Sequence, residues 1–410
     1  MPAQIPVGWE LVRLTSVARL ESGHTPSRRH PEYWDGDIPW LSLHDSSGLD
    51  VAEIHDTAQT VGTLGLEHSS ARLLPKGTVV FSRTATVGKS TVMGRDMATS
   101  QDFANYVCGS RLHNHYLVHL FRFMGPEWKR LMAGSTHNSI YMPVFQDLQI
   151  LLPPICEQEA IAEAIGDADI LIESLEKLLV KKRQVKQGAM QALLTGKRRL
   201  PSFSGAWTHA ALGHLGHCHR GVSYDPSRDL SPSDAEGTVR LLRANNVRAA
   251  RVVFEDVQYV AASRVSDDQH LRQGDILICM ASGSRELVGK TGQFRSDDGF
   301  RYTFGAFMGC FRPDPTAADP AFVYYLFQTN AYRGHISVVL AGSSINNLTP
   351  ASVESFSVPV PPDRIEQRRI ATVLSDMDAE IDALDTKLTK ARQVKQGMMQ
   401  ELLTGRTRLS

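Results

Sequence analysis

The sequence lacks several features that define whole classes of protein. It contains no run of eighteen or more consecutive apolar residues, so we expect no membrane-spanning helix. Its five cysteines are scattered and form no CxxC pair, which favours a reducing compartment over a disulfide framework or a structural zinc site. The first residues lack a basic patch followed by an apolar run, so we expect no secretory signal. Together these absences predict a cytoplasmic protein.

The charge balance shows no excess of either sign. The 410 residues include 44 Lys+Arg and 44 Asp+Glu, which gives no support to a generally basic nucleic-acid binder but leaves room for local basic patches. Hydrophobic residues make up 42% of the chain, enough for a sizeable core, so wholesale disorder is excluded. The length predicts two to four domains, at roughly 100–200 residues each.

The most informative feature is an internal repeat. RQVKQG occurs at 183–188 and again at 392–397, and an EQ pair that follows a double proline also recurs at the same spacing. Fainter matches extend into the preceding stretches, where Trp9 corresponds to Trp207 and TVGKS corresponds to LVGKT. The order is therefore globular, helical, globular, helical, which predicts two related units in one chain.

Both repeated segments show a helical pattern. Apolar residues from Ile161 to Leu179, and again from Ile370 to Leu388, recur at alternating steps of four and three, which is typical of a coiled-coil seam. No proline interrupts 157–194 or 366–403, and a 38-residue helix of this kind is about 57 Å long. Gly196 and Gly405 occupy the expected position of a C-terminal cap.

The narrow apolar stripe of each helix needs a partner. Two copies of one sequence can make a self-complementary, antiparallel contact about a two-fold axis, although each helix could instead dock a helix of another subunit. The segment from Lys177 to Arg199 is basic and contains no acid. That charge is consistent with a solvated face, with phosphate contacts, or with a surface for a partner subunit.

The stretches before the helices mix strand patterns with short helical ones. Residues 78–84, 238–247 and 275–281 are apolar and rich in β-branched residues, which predicts strands. The fold class is therefore α/β (α+β): two such domains separated by a long antiparallel two-helix coiled coil, with a pseudo-two-fold internal repeat.

Polar loops follow several of these strands in both copies, with different residues in each. Arg, Asn, Ser and Thr side chains suit hydrogen bonding to base edges, although ordinary surface loops have the same composition. Recurrence of such loops at matching places favours two readers of different DNA sequences. The candidate DNA-binding residues are Arg28, Arg29, Tyr33, Arg83, Thr84, Lys89, Ser135 and Asn138 in the first copy, and Tyr224, Arg243, Asn245, Asn246, Ser284, Arg285, Lys290, Asn346 and Asn347 in the second.

Motifs for catalysis or metal binding are incomplete. VGK[ST] occurs twice, but a phosphate-binding P-loop needs a glycine where Arg83 and Ser284 stand, so a nucleotide-dependent transferase is a weak rival. A group of His and Cys at 214–219 has no second half at zinc spacing. We expect no catalytic residue and no metal site in this chain.

The chain resembles the DNA-specificity subunit of type I restriction–modification systems along nearly its whole length. Each motif alone is weak, but the combination is highly specific. The motifs are GHTPS…YWDGDIPW (23–40), ILICMASGSRELVGK (276–290), FGAFM (304–308), GSSINNLTP (342–350), PPxxEQ before the first helix, and LLTG after it. The second copy departs from PPxxEQ by one extra residue, reading PPDRIEQ.

The resemblance implies a division of the chain into four parts: target recognition domain 1 at 1–153, a central helix at 154–200, target recognition domain 2 at 201–361 and a C-terminal helix at 362–410. Each recognition domain would read one half of a split site in double-stranded DNA. The helices would set the unread spacer and dock two modification subunits, which methylate adenine, while restriction/translocase subunits join the complex.

The resemblance also implies that this chain carries no cofactor. S-adenosylmethionine, ATP and Mg would belong to the partner subunits, and the protein would be non-catalytic and lie in the cytoplasm of a bacterium or archaeon. Two alternatives remain: a coiled-coil scaffold without a role on nucleic acid, and the same DNA reader serving a methylation-only system or another phage-defence assembly.

Overall fold

The structure is a computed structural model that describes residues 5–132, 138–342 and 346–409. The chain divides into two compact units. Unit 1 is Met1–Lys177 with Asp385–Ser410, and unit 2 is Leu178–Leu384. Because both boundaries fall inside long helices, each unit contains one sheet-rich region and a segment of each long helix. The four-part division predicted from the sequence follows chain order instead, and it stays a prediction.

Unit 1 is built from short strands and short helices that lead into one long helix. Its 3-10 helices are Leu14–Ser16, Pro31–Tyr33 and Ser46–Gly48. Its strands are β1 (Glu10–Arg13), β2 (Ala18–Ser22), β3 (Ile38–Leu41), β4 (Glu53–Ile54), β5 (Thr60–Val61), β6 (Val79–Ser82), β7 (Ser90–Met93), β8 (Ala98–Thr99), β9 (Phe103–Cys108) and β10 (Gln149–Leu152). Its helices are α1 (Thr63–Glu67), α2 (Asn114–Phe123), α3 (Gly125–Met132), α4 (Met142–Asp147) and α5 (Ile155–Leu193), which continues into unit 2.

Unit 2 repeats this plan. Its 3-10 helices are Leu212–His214, Ala244–Asn246, Ala262–Arg264 and Asp267–Gln269. Its strands are β11 (Thr208–Ala211), β12 (Gly216–Arg220), β13 (Leu230–Ser231), β14 (Thr238–Leu242), β15 (Val247–Arg248), β16 (Arg251–Val252), β17 (Gln258–Ala261), β18 (Ile276–Cys279), β19 (Thr291–Gln293), β20 (Tyr302–Phe304), β21 (Met308–Pro313) and β22 (Ser357–Val360). Its helices are α6 (Pro320–Leu326), α7 (Asn330–Ala341), α8 (Pro350–Glu354) and α9 (Arg364–Leu402), which continues into unit 1.

The sheets of the two units have the same connectivity. In unit 1 the main sheet has the order β2-β9-β6-β7-β4, and in unit 2 the corresponding order is β12-β21-β18-β19-β16, extended by β15. In each unit only the last pair of that shared order, β4 with β7 or β16 with β19, is parallel. A second parallel pair, β3 with β8 or β14 with β20, belongs to a smaller sheet. The repeat seen in the sequence is therefore a repeat of topology.

The two long helices have 39 residues each, and both predicted helices are confirmed. They run without proline and end before glycines in the left-handed region, Gly196 at φ 70° and Gly405 at φ 67°. A side chain at Gly405 would also collide with Pro6, whose Cγ lies 2.5 Å from the position that a Cβ would take. Glycine is therefore needed there for both backbone conformation and space.

Within each unit the two helix segments run antiparallel. In unit 2, Lys186 Nζ lies 2.5 Å from Asp378 Oδ1, and in unit 1 Lys395 Nζ lies 2.5 Å from Asp169 Oδ1. Both members of the first pair stand 209 residues from their counterparts in the second, so the repeat places one ion pair twice. These charged contacts fix the register beside the apolar seam.

The apolar seam does more than join two helices. In unit 1, Ile161 and Ile165 are fully buried in the main hydrophobic core together with Leu402 and Leu403. In unit 2, Ile370 and Leu374 take the same role beside Leu193. The ends of the helices thus anchor each sheet region, while the seam position Ile172 is only half-buried. The predicted fold class is confirmed, and none of the described helices is long and apolar enough to cross a membrane.

Candidate nucleic-acid interface

A tight turn between β20 and β21 forms the centre of one exposed surface of unit 2. The carbonyl of Phe307 accepts hydrogen bonds from the backbone N–H groups of Met280 and Ala281, at 2.9 and 3.1 Å. Gly305 N–H donates to Leu242 O at 3.0 Å. The backbone of this turn is therefore held from two sides, yet the Phe307 side chain is 71% exposed. A fixed backbone with an exposed ring is suited to presenting that ring to a ligand.

Predicted residues of unit 2 gather around this turn. Ser282 N–H donates to Asn346 O at 3.4 Å, and Asn347 forms a bridge with Ala281, so these two loops lie side by side. The Tyr224 ring lies against Gly305. Ser284 and Arg285 extend from the same loop and are exposed, and Arg285 Nη2 donates to Ser337 O at 3.1 Å.

Lys290 lies at the far end of the same loop. It is half-exposed, at the residue before β19, and the described part of the chain shows no ion pair for it. Its ammonium group is therefore available to an external anion.

The predicted residues Arg243, Asn245 and Asn246 belong to one turn that is held by side-chain hydrogen bonds. Asn246 is fully buried; its side chain accepts from Arg243 N–H at 2.9 Å and donates to Val253 O and Glu255 O. Arg243 and Asn245 both donate to the carboxylate of Asp256 at 3.0 Å. The structure thus assigns Asn246 to holding this turn rather than to a ligand-facing surface, because a buried amide with satisfied hydrogen bonds has no free group to offer.

Unit 1 has an equivalent surface, framed by the same backbone contacts. Arg83 N–H donates to Asp102 O at 3.0 Å, Thr84 forms a bridge with Ser139, and Ile140 N–H donates to Arg83 O at 2.9 Å. The predicted residue Asn138 precedes that bridge, is exposed, and has a left-handed backbone at φ 49°. Three predicted residues of the first copy, Arg83, Thr84 and Asn138, are therefore brought together.

The Arg83 side chain is already engaged within the protein. Its Nε and Nη2 donate to Gln101 O at 2.9 and 2.6 Å, and Nη1 donates to Ile140 O at 3.3 Å. Because these contacts occupy the planar guanidinium on several edges, Arg83 orders the surface. The side chain of Gln101 itself is exposed, and its Oε1 accepts from Thr25 Oγ1 at 2.7 Å.

The segment that includes Thr25 also carries the aromatic and arginine residues predicted from the sequence. The Arg28 guanidinium lies 3.4 Å from the centre of the Trp34 ring, and its Nη2 donates to Gln59 Oε1 at 2.7 Å. Tyr33 stacks on His30, with ring centres 4.8 Å apart, and Arg29 is exposed. This segment is therefore a pre-ordered cationic and aromatic surface, of a kind that stacks on bases or contacts phosphates.

Two further predicted residues, Lys89 and Ser135, contribute no free group to this surface within the described structure. Lys89 Nζ lies 2.7 Å from Asp50 Oδ2 and also donates to Ser47 O, so this lysine of the VGKS sequence is engaged by its own chain and presents no free ammonium to a phosphate. Ser135 lies outside the described residues.

The candidate DNA-binding residues chosen from the sequence did not include Gln101, Thr25 or the exposed Phe307. A signal was present in the sequence, because Gln101 lies two residues before the buried strand β9, in TSQDF, and Phe307 lies immediately before the buried strand β21, in FGAFM. An exposed side chain at the entrance to a buried strand has a fixed position, which is what a reading residue needs.

Burial affects the chemistry of two cysteines, and strand geometry separates members of the histidine group at 214–219. Burial raises the pKa of Cys108 and of Cys218 to about 12, so both thiols are protonated and poorly nucleophilic at neutral pH. His217 and Cys218 are neighbours on strand β12, whose successive side chains point to opposite faces. Within the described ranges, no group of three or more His, Cys, Asp or Glu could hold a metal ion.

Comparison with known proteins places the chain in a family. A family model described as the type I restriction modification DNA specificity domain matches residues 6–182 and 258–393, which is more than half of the chain. The protein therefore belongs to this family, and the resemblance inferred from its motifs is confirmed.

Two relatives illustrate the range of similarity. The StySPI specificity subunit of Salmonella potsdam is 30% identical over 197 residues, which cover 48% of this chain but only 42% of that protein. The MjaVIII specificity subunit of Methanocaldococcus jannaschii is 22% identical over 423 residues, covering 99% of this chain and 94% of that one.

Solved structures show that the fold is shared. The S subunit from the type I restriction–modification system of M. genitalium has a TM-score of 0.62 at 13% identity, with 98% of both chains covered. A chain from a structure that describes complex assembly and conformational transition of the type I R-M system has a TM-score of 0.58 at 16% identity, covering 98% of this chain and 99% of that one.

Proposed function

We propose that this protein is the DNA sequence-recognition subunit of a type I restriction–modification complex, reading a split site with one half assigned to each unit. The observation that carries the proposal is the pair of surfaces described above. The hydrogen bond from Arg83 N–H to Asp102 O in unit 1 corresponds to that from Met280 N–H to Phe307 O in unit 2. A shared backbone arrangement that exposes different side chains in each unit is suited to recognising two different DNA sequences.

The exposed side chains on each surface have the chemistry needed for base recognition. Arg285 can donate two hydrogen bonds to guanine, and Asn346, Asn347 or Gln101 can both donate to and accept from adenine. Phe307 can contact a thymine methyl group or stack on a base that has left its pair. Phosphate contacts from residues such as Lys290 and Arg29 would position the duplex without reading it.

The repeated helices support the assembly part of the proposal. Equivalent ion pairs and cores in both units mean that two identical partner subunits would meet two similar helix surfaces. Two modification subunits would dock there, each supplying S-adenosylmethionine chemistry on an adenine that must leave the helix stack. Restriction/translocase subunits would bring ATP and Mg, and the length of the helices would set the separation of the two half-sites.

The test is a selection from random double-stranded DNA by this chain assembled with its modification subunits. We expect two short specified blocks separated by a fixed stretch without preference, with adenine methylation inside both blocks. A single continuous block, or no enrichment, would contradict the proposal. A split site that is methylated but never cleaved when every subunit encoded with the chain is supplied would point to a methylation-only system.

A further inference from the structure

Two short sequences that end in a positively charged residue recur in both units. Pro-Ser-Arg occurs at 26–28 and again at 226–228, and Val-Gly-Lys occurs at 87–89 and again at 288–290. The first lies in the loop that follows β2 or β12, and the second ends at the residue before β7 or β19. The repeat therefore gives each unit one arginine and one lysine at corresponding places.

The arginine of this pair is neutralised in unit 2. Arg228 Nε and Nη2 both lie 3.0 Å from Asp225 Oδ2. A second acid, Asp229, follows Arg228 directly, where unit 1 has Arg29 after its own Pro-Ser-Arg. A phosphate that approached Arg228 would therefore also meet carboxylates, which repel it.

The corresponding arginine of unit 1 keeps its charge. The Arg28 guanidinium lies against the Trp34 ring and donates to the neutral side chain of Gln59, and it forms no ion pair among the described residues. These contacts fix the position of the exposed guanidinium without cancelling its charge. Arg28 is therefore a pre-ordered cation that an outside anion can reach.

The lysines show the reverse arrangement. Lys89 of unit 1 is neutralised, because its Nζ lies 2.7 Å from Asp50 Oδ2, whereas Lys290 of unit 2 has no ion pair in the described part of the chain. Counted from the parallel pairing of β4 with β7 and of β16 with β19, the place of Asp50 is taken in unit 2 by Arg248. A base replaces the acid, so Lys290 has no carboxylate at the place that neutralises Lys89.

The surroundings of Lys290 hold it in place and add positive charge. Lys290 and Arg333 of α7 line one hollow of about 390 Å³. Arg333 donates to Val288 O at 2.9 Å and to Glu286 O at 3.1 Å, so the loop that carries Lys290 is fixed against α7. Glu286 lines the same hollow but forms no ion pair with Lys290 among the described residues. Two cations and one acid leave this hollow with a net positive charge.

We propose that the two units hold the DNA backbone through different members of this repeated set: unit 1 through Arg28, and unit 2 through Lys290. In each unit an acid of the same chain neutralises the other member, so that member adds no phosphate contact. The phosphates of the two half-sites are therefore bound by different loops, although the loops themselves are repeated. This inference deepens the proposed function and rests on it, because it names the residues that position the duplex in each unit.

The experiment measures how salt weakens binding of the intact chain, without other subunits, to a fluorescein-labelled duplex of about 40 base pairs of random sequence. Each phosphate contact adds about 0.9 to the slope of log affinity against log salt concentration. We expect Arg28→Ala and Lys290→Ala each to lower that slope by about 0.9, so that between 50 and 200 mM salt the wild type loses about threefold more affinity than either variant.

The repeat supplies a matched control for each variant. Arg228→Ala and Lys89→Ala remove the corresponding cations that the chain already neutralises, and both should leave the slope unchanged. Arg28→Lys and Lys290→Arg keep the charge and should keep the slope of the wild type.

Each outcome decides the proposal. A lower slope in Arg28→Ala and Lys290→Ala, but not in their matched controls, supports it. An equal fall in both members of a pair, a fall in the charge-retaining variants, or no measurable binding overturns it, and a fall in only one pair overturns the assignment for the other unit. Because the duplex carries no chosen sequence, failure here leaves the selection of a split site untouched, and failure of that selection leaves this result standing.

Discussion

The two units share the buried ion pairs that hold their long helices and differ in the side chains that their surfaces expose. In unit 1, Arg408 near the end of the chain makes two parallel hydrogen bonds, both 2.6 Å long, to the buried carboxylate of Glu157. In unit 2, Arg199 makes the same pair of bonds to Glu366, at 2.6 and 2.7 Å. The arginines and the glutamates are each 209 residues apart. The ion pairs that hold the two units are thus repeated one for one, whereas the side chains on their exposed surfaces differ.

The two ion pairs differ in one respect. In unit 1 the indole N–H of Trp9 donates to Glu157 Oε2 at 3.1 Å, whereas the buried indole nitrogen of Trp207 in unit 2 has no hydrogen-bond partner among the described residues. Glu157 therefore has a second donor that Glu366 does not receive from its tryptophan. The comparison shows that a repeated sequence can give two ion pairs with the same geometry but a different number of hydrogen-bond donors around the carboxylate.

The largest effect is expected from removing these arginines. Arg199→Ala leaves the fully buried carboxylate of Glu366 without its cation, and we expect the free energy of unfolding of unit 2 to fall by about 3 kcal/mol. Arg408→Ala should cost less, because Trp9 still donates to Glu157. Urea unfolding, with hydrogen exchange to assign the change to one unit, measures both.

The control for this pair is Arg198→Ala, which removes an exposed neighbouring arginine and should change the unfolding free energy little. Equal losses for Arg199→Ala and Arg408→Ala would mean that the tryptophan contact gives no support, and the proposed difference between the units would be wrong.

A smaller effect is expected from pH. Burial tends to raise the pKa of Glu157, but hydrogen bonds from Arg408 and Trp9 outweigh it, and the pKa lies below its ordinary value of 4.5. A lowered folded-state pKa means that this carboxylate stabilises the fold above pH 4.5 and that the contribution is lost as pH falls through the lower folded value. Glu157→Gln should therefore make the stability of unit 1 less dependent on pH below 4.5.

Chemical denaturation at several pH values from 5 downward tests this, followed by signals assigned to unit 1. Glu163→Gln serves as a control, because Glu163 is an exposed carboxylate of the same unit that has no ion pair among the residues described by the structure. A pH profile for Glu157→Gln that matches the wild type in this range would contradict the account.

The sequence predicted what depends on long periodic patterns. Both long helices, their terminal glycines and the duplicated topology follow from heptad spacing and from a repeat with a nearly constant offset. The sequence could not show that each helix would be divided between two units, because that depends on which apolar positions, such as Ile161 and Ile370, join a sheet core.

The candidate site was predictable as a set of loops but not residue by residue. Asn246 and Asn346 look alike in sequence, yet one is buried in a turn and the other lies beside an exposed loop. A comparison of copies would have separated them: Asp45 of unit 1 stands where Asn246 does and accepts from Ser42 N–H at 2.9 Å, as Asn246 accepts from Arg243. Local hydrogen bonding to the backbone, which composition does not reveal, decides which polar residues remain free.

The most direct test of two independent readers on one repeated frame is the recognition site of matched variants, one in each unit. Arg285→Ala in unit 2 and Gln101→Ala in unit 1 remove exposed side chains from equivalent surfaces, and each should lose about tenfold or more in affinity for one half-site. Mapping of methylated adenines, with binding measured at fixed salt, should show one half relaxed by Arg285→Ala and the other half relaxed by Gln101→Ala. Equal loss at both halves from either variant would contradict the account.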